Sequence, residues 1–147
     1  LKEYPCRYHI NQISSKKVLS LIKKNKSNGV KFNTGVSINN LSLNQNDIGE
    51  FRTFLKLSSP LREEQDRLSL IEGVKNDLID VIVSDHVPED EESKRLPFAQ
   101  AASGSIGIET LLPLALELYH NNSLPLDKIV KCLTINPAKI LKINKGN

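Results

Sequence analysis

Between Asp80 and Asp90 the chain reads Asp-Val-Ile-Val-Ser-Asp-His-Val-Pro-Glu-Asp, which sets the carboxylate of Asp85 beside the imidazole of His86. A carboxylate can take up and return a proton or bind a metal ion, and an imidazole can do either near neutral pH. Val81, Ile82 and Val83 are a short β-branched run of the kind that forms a strand buried on both faces. Pro88 forbids that strand from continuing beyond the ionisable pair. A buried parallel strand that ends in ionisable groups is how α/β enzymes mount chemistry on a rigid support. The structural alternative is that Asp85 caps the following turn and His86 merely sits in it.

The elements that must position this strand end follow from the patterning on either side. Arg7 to Ile13 alternates polar and apolar residues behind Pro5, which predicts a first strand. Ser14 or Ser15 then caps a helix with Val18, Leu19, Leu21 and Ile22 on one side, stopped by Asn28-Gly29. Val30 to Val36 is a second strand candidate. Residues 37–60 are irregular and rich in Asn, Ser and Gly, with an extended segment expected over Phe51 to Leu57; connections this long are usually functional. Acids in the first turn open a helix at Arg62 to Arg67, with Leu68, Ile71 and Val74 as its buried stripe and a Glu63–Arg67 pair. The Asp80 to Ser84 strand follows, then a second long connection from Asp85 to about Ser103. Ile106 to Tyr119 is apolar on nearly every side, which predicts a heavily covered helix. Leu126 to Leu133 forms one more, and Asn136 with Pro137 marks a further start with the proline in first helical position.

Strand and helix thus alternate three times before the extra helices, which implies a parallel sheet. A closed eight-stranded barrel takes about 250 residues. A doubly wound sheet is the other candidate, but no glycine-rich phosphate loop follows the first strand. The expected fold is α/β: the last three βα units of a (β/α)8 TIM-type barrel plus extra C-terminal helices, incomplete in this chain, with residues 1–147 as the C-terminal part of a barrel domain. Leu1 in place of an initiating Met, close to a strand, suggests a piece of something longer. An open three-unit sheet exposes an apolar edge that invites self-association, so a homo-oligomer is expected.

Composition narrows the function classes. The 147 residues, 39% of them hydrophobic, can hold one core of ordinary size. A net charge of +3, from 20 basic and 17 acidic residues, is too balanced to suggest nucleic acid. Lys16, Lys17, Lys23, Lys24 and Lys26 read as a solvated helix face. Cys6 and Cys132, far apart and without CxxC spacing, read as reduced packing residues of a cytoplasmic protein. No apolar run approaches the ~20 residues that cross a bilayer.

With the segments in order, the chain resembles the dihydroorotases (class I type) of the amidohydrolase superfamily. The resemblance rests on HINQIS at 9–14, KLSSPLREEQDR at 56–67, DVIVSDHVPED at 80–90, SGSIGIETLLPLAL at 103–116 and TINPAKIL at 134–141. It implies a metal-dependent barrel that interconverts dihydroorotate and N-carbamoyl-L-aspartate in pyrimidine biosynthesis, opening a cyclic amide with zinc-bound hydroxide. Zinc suits that task because it lowers the pKa of bound water to about 7 and polarises a carbonyl. Asp85 matches the family's eighth-strand carboxylate, which contacts the metal and shuttles the proton.

Other positions depart from the family pattern. Gln12 stands where the family has the metal-binding histidine of its sixth strand, and an amide oxygen is a poor replacement for imidazole at zinc. His9, three residues earlier, should face the other side of the strand. Ser58 replaces an asparagine that touches the pyrimidine ring. Glu89 replaces a substrate-binding histidine, and a carboxylate there repels an acidic substrate. Ser103 and Gly104 keep the place of a backbone turn over the substrate without its usual proline; Gly104 either presents an N–H to a ring carbonyl or only lets the next helix begin. The remaining metal ligands of the family, its paired histidines, carboxylated lysine or aspartate and fifth-strand histidine, are expected upstream of Leu1. The departures at Gln12, Ser58 and Glu89 motivate one alternative, a catalytically deficient scaffold subunit for aspartate transcarbamoylase; a second stays within the superfamily, a cyclic amidase acting on hydantoin or allantoin.

Overall fold

The computed structural model describes residues 3–4 and 6–144. Three strands, β1 (His9–Ile10), β2 (Asn33–Ser37) and β3 (Val81–Val83), form one parallel sheet in the order β1-β2-β3. Helix α1 (Lys16–Ser27) joins β1 to β2, and β2 runs into the short α2 (Ile38–Ser42). Helix α3 (Glu64–Lys75) leads to β3, followed by α4 (Glu91–Arg95), α5 (Leu111–His120), α6 (Leu126–Leu133) and α7 (Ile135–Leu141). Sequential parallel strands with helical crossovers make one arc of a (β/α)8 wall. Val36, Ile38, Leu41, Leu70, Val74, Ile79 and Ile82 are buried between the sheet and α1, α3, α5 and α6. Among the described residues no helix is long and apolar enough to cross a membrane.

The first strand is shorter than its alternation suggests. Gln12 adopts a left-handed φ of 54°, which turns the chain out of extended geometry before Ile13 N–H bonds the Gly35 carbonyl at 2.8 Å. Ser15, not Ser14, caps α1, its hydroxyl accepting from the Lys17 N–H, and Leu21 is exposed on the outer side. Phe51 to Leu57 is not extended: Thr53–Leu55 is a 3-10 turn. The rest of that connection is ordered locally by its asparagines, for Asn44 and Asp47 form a reciprocal capping box over a second 3-10 turn, Gln45–Ile48.

In α3 the buried stripe is Leu70, Ile71 and Val74, while Leu68 is 49% exposed and belongs to the solvent side. The acid that pairs with Arg67 is Glu64, one turn back at i,i+3, not Glu63, which precedes the first helical residue. The apolar helix begins at Leu111 instead of Ile106, and Ile106, Ile108, Leu112 and Tyr119 are exposed, so it is not covered on all sides. Residues 105–108 are held away from helical geometry by His86, as described below. Pro137 takes the third position of α7, with Asn136 inside the helix; that proline is tolerated because the first four N–H groups of a helix lack intrahelical acceptors anyway. Cys132 is buried as a packing residue, but Cys6 is exposed.

Candidate active site

Asp85 lies two residues past the end of β3, only 9% exposed, with a left-handed φ of 51°. Left-handed backbone costs a non-glycine residue on the order of 1 kcal/mol and persists where the surroundings over-determine it, often at functional sites. Here it aims the carboxylate back over the strand ends. Gln12, just past β1 and equally left-handed, donates its Nε2–H to Asp85 Oδ1. Ser37, the fully buried last residue of β2 and opposite Val83 in register, places its hydroxyl beside the same carboxylate. The three parallel strands therefore deliver Gln12, Ser37 and Asp85 to one point at their carboxyl ends. Burial pushes the Asp85 carboxyl above its usual range, and the Ser37 hydroxyl pulls it partly back.

Ser59 completes the cluster. Its hydroxyl donates to the Gln12 backbone carbonyl at 3.0 Å and lies 3.5 Å from Gln12 Oε1. Ser58, the residue expected from the sequence, is exposed beside it. Neither Ser37 nor Ser59 stands out in the sequence, since serines at strand ends and before prolines are ordinary; only the register of β2 against β3 marks Ser37.

His86 is used for support. Its Nδ1 accepts the N–H groups of Gly107 at 3.1 Å and Ile108 at 3.3 Å, and Val87 N–H bonds the Ser105 carbonyl at 2.9 Å in an isolated parallel bridge. An accepting Nδ1 requires the tautomer with its proton on Nε2. The chain at 104–107 approaches so closely that a Cβ on Gly107 would stand 2.2 Å from the Ser84 carbonyl oxygen. Gly104, with φ 153°, would set a Cβ 2.4 Å from the Val87 carbonyl oxygen. Its N–H donates to the Lys56 carbonyl at 2.9 Å, so in this arrangement that N–H is already engaged. Ser103, next to it, is half-buried.

Two lysines fasten the long connections together. Lys94, 4% exposed, donates to the carbonyls of Thr53 and Ala102, both at 2.9 Å, and burial lowers its pKa. Lys56 donates to the carbonyls of Phe98, Ala99 and Ala101 at 2.7, 3.0 and 2.7 Å. Exposed Glu89 lies with Lys94, Asn39 and Ser105 around a cleft of about 570 Å³. His9 sits against Gly35 on β2 with its Nδ1 buried and unpartnered.

The donor set can be weighed against a metal ion. Asp85 supplies a carboxylate, the hard oxygen donor a cation wants. Gln12 does not fit, because it presents an N–H and not its oxygen toward the shared point, and a hydrogen-bond donor cannot face a cation. Among the described residues no group of three His, Cys, Asp or Glu side chains converges as metal ligands would. These residues alone do not fit zinc.

No family model matches the chain. Among solved structures, the L-hydantoinase (dihydropyrimidinase) of Arthrobacter aurescens superposes with a TM-score of 0.93 at 28% identity, covering 99% of this chain and 34% of that one. An inactive dihydroorotase-like domain of the Chaetomium thermophilum CAD-like multifunctional protein superposes with a TM-score of 0.72 at 24% identity, over 94% of this chain and 37% of that one. The fold is thus that of part of an amidohydrolase-type barrel. In sequence, the chain is 45% identical over 139 residues to a dihydroorotase of Ehrlichia chaffeensis, a match covering 95% of this chain. The chain thus matches a dihydroorotase over nearly its whole length, and it spans about a third (31%) of the length of that curated relative.

Proposed function

We propose that the protein is a dihydroorotase-type cyclic amidohydrolase that interconverts dihydroorotate and N-carbamoyl-L-aspartate in pyrimidine biosynthesis, with Asp85 as the residue that carries the proton. The supporting observation is the buried Asp85 carboxylate, held by left-handed backbone where the ends of β1, β2 and β3 meet. Hydrolysis adds an oxygen nucleophile to the amide carbon and breaks the ring C–N bond. Asp85 takes the nucleophile's proton and returns it to the departing nitrogen. A carboxyl whose proton affinity is raised by burial is suited to both transfers. Ser58, Glu89, Ser103 and Gly104 are proposed to border the substrate, with Asp85 the one residue of the chain that reaches the reacting atoms. Zinc is the metal that kinship with this family supports, with Asp85 as the ligand this chain would supply and most of the others expected outside these 147 residues. A cytoplasmic homo-oligomer is part of the same reading.

Cyclisation of N-carbamoyl-L-aspartate by the full-length protein tests it, with hydantoin and allantoin as competing substrates. Asp85→Asn should lower the rate by at least ~100-fold, the range for losing a positioned acid–base group. Full activity in that variant, or an inactive wild type that carries bound zinc, would rule the assignment out.

The Gln12–Asp85 hydrogen bond favours a second reading: a scaffold subunit for aspartate transcarbamoylase that no longer turns over. The fold is compatible with such a role, since the Chaetomium domain that shares it is described as inactive. Co-purification with the transcarbamoylase would support it, and stoichiometric zinc in the isolated full-length protein would count against it.

A further inference from the structure

We infer that Gln12 is a positioning residue and not a metal ligand: Ser59 ties down its backbone and its side-chain amide donates to Asp85, so a hydrogen-bond donor faces the carboxylate where a metal ligand would have to present a lone pair. The inference rests on the proposed dihydroorotase reading only for the expectation of a metal near Asp85, and on the geometry for the rest.

A side-chain amide can turn either its nitrogen or its oxygen toward a neighbour, and the partners on both sides decide which. On one side is Asp85, which is only 9% exposed and offers only acceptors when ionised. An amide oxygen turned toward it would bring two acceptors into contact in a poorly solvated place, which is costly unless a cation lies between them. On the other side is the Ser59 hydroxyl, 3.5 Å from Gln12 Oε1 and 3.0 Å from the Gln12 backbone carbonyl. The single hydroxyl proton goes to the nearer backbone carbonyl and ties down the chain at residue 12, so it is the Asp85 carboxylate, an acceptor, that turns the amide nitrogen toward itself. Both residues have left-handed backbone just past the ends of their strands, and their side chains meet there. Gln12 Nε2–H thus occupies one lone pair of Oδ1 and fixes the rotation of the carboxylate.

The test uses the full-length protein and measures zinc by elemental analysis and competitive titration, a readout that does not require activity. Gln12→Met keeps length and volume while removing both amide groups, and it should leave zinc affinity within about twofold of wild type. Gln12→His replaces the N–H donor with an imidazole and should raise zinc affinity by ~10-fold or more, in the range by which single shell residues tune metal sites. A tenfold or greater loss of zinc in Gln12→Met would overturn the inference, as would a Gln12→His protein that binds no more zinc than wild type. Ser59→Ala serves as a second probe that leaves Gln12 in place: a fall in kcat with unchanged KM and unchanged zinc content is the expected signature, and loss of zinc would again contradict it. An inactive wild type would remove the proposed reaction while leaving the metal comparison intact, so the two failures are distinguishable.

Discussion

Replacing Gly107 by alanine tests how the strand end is held. The new Cβ would sit 2.2 Å from the Ser84 carbonyl oxygen and 3.1 Å from its carbon, whereas ordinary contact begins at 3.4 Å. Backbone cannot rotate away as a side-chain tip can, so residues 84–86 or 106–108 must shift by about an ångström. Overpacking of this kind costs roughly 1–3 kcal/mol. The same shift stretches the Gly107 and Ile108 N–H bonds to His86 Nδ1, now 3.1 and 3.3 Å long, each worth about 1 kcal/mol. A total loss of about 3–5 kcal/mol is expected in urea unfolding of the full-length protein, read as a lower midpoint at constant slope. Gly29→Ala is the control: its φ of 78° is strained for alanine, but nothing lies within 4 Å of the added carbon, so about 1 kcal/mol is expected. Equal losses in the two variants would show that residues 84 and 107 do not meet as described.

Further predictions concern the rest of the fold. Asp80→Ala removes the acceptor of Thr34 N–H at 2.7 Å and of Lys26 Nζ at 3.1 Å, and leaves a buried amide unpaired; a loss of about 3 kcal/mol is expected by the same unfolding measurement, and less than 1 would contradict it. Lys94→Met preserves bulk but strips the donors from the Thr53 and Ala102 carbonyls, which should cost about 2–4 kcal/mol and open the 94–102 segment to limited proteolysis. Arg67 and Asn44 hold the Glu64 carboxyl down to about 2 from 4.5, so its contribution is complete above pH 4.5 and is lost as pH falls toward 2; Glu64→Gln should flatten acid unfolding in that window, and an unchanged profile would refute the pairing. Burial raises the Cys132 thiol to about 11, so at pH 8 iodoacetamide should label exposed Cys6 and spare Cys132, as peptide mapping would show.

The sheet and its helices were legible because their signals are local and periodic. The β-branched run at 81–83 and the caps and stops around α1 required no knowledge of neighbours. What the sequence concealed depends on contacts between distant segments. The left-handed backbone at Gln12 cuts β1 short, and nothing in an alternating pattern announces it. Lys94 stands among charged residues in the sequence, between Glu91, Glu92 and Arg95, yet its ammonium is buried against two carbonyls from different loops. Asp85 was identifiable as the chemical residue, but its partner Ser37 appears only once β2 and β3 are paired in register. His86 was a candidate for chemistry, and the chain spends its acceptor nitrogen on pinning residues 107 and 108.

The two ends of the sheet are built on opposite terms. At the amino ends of the strands, Asp80 gathers Thr34 N–H, Thr34 Oγ1 and Lys26 Nζ on one oxygen, Thr34 Oγ1 also donates to Leu78, and Asn136 donates to the Asp80 carbonyl. Every one of these bonds is between residues far apart in sequence, so this end is tied together across the fold, with the buried Nδ1 of His9 as an unmet group beside it. At the carboxyl ends the backbone is strained at Gln12 and Asp85, a carboxylate is buried without a cation from this chain, and Asn40 Oδ1 is buried without a partner although the residue is 3% exposed. Natural folds remove such costs unless something retains them. A wall tied by several long-range bonds at one rim can tolerate left-handed backbone and a buried carboxylate at the other, the rim where barrel enzymes hold their substrates.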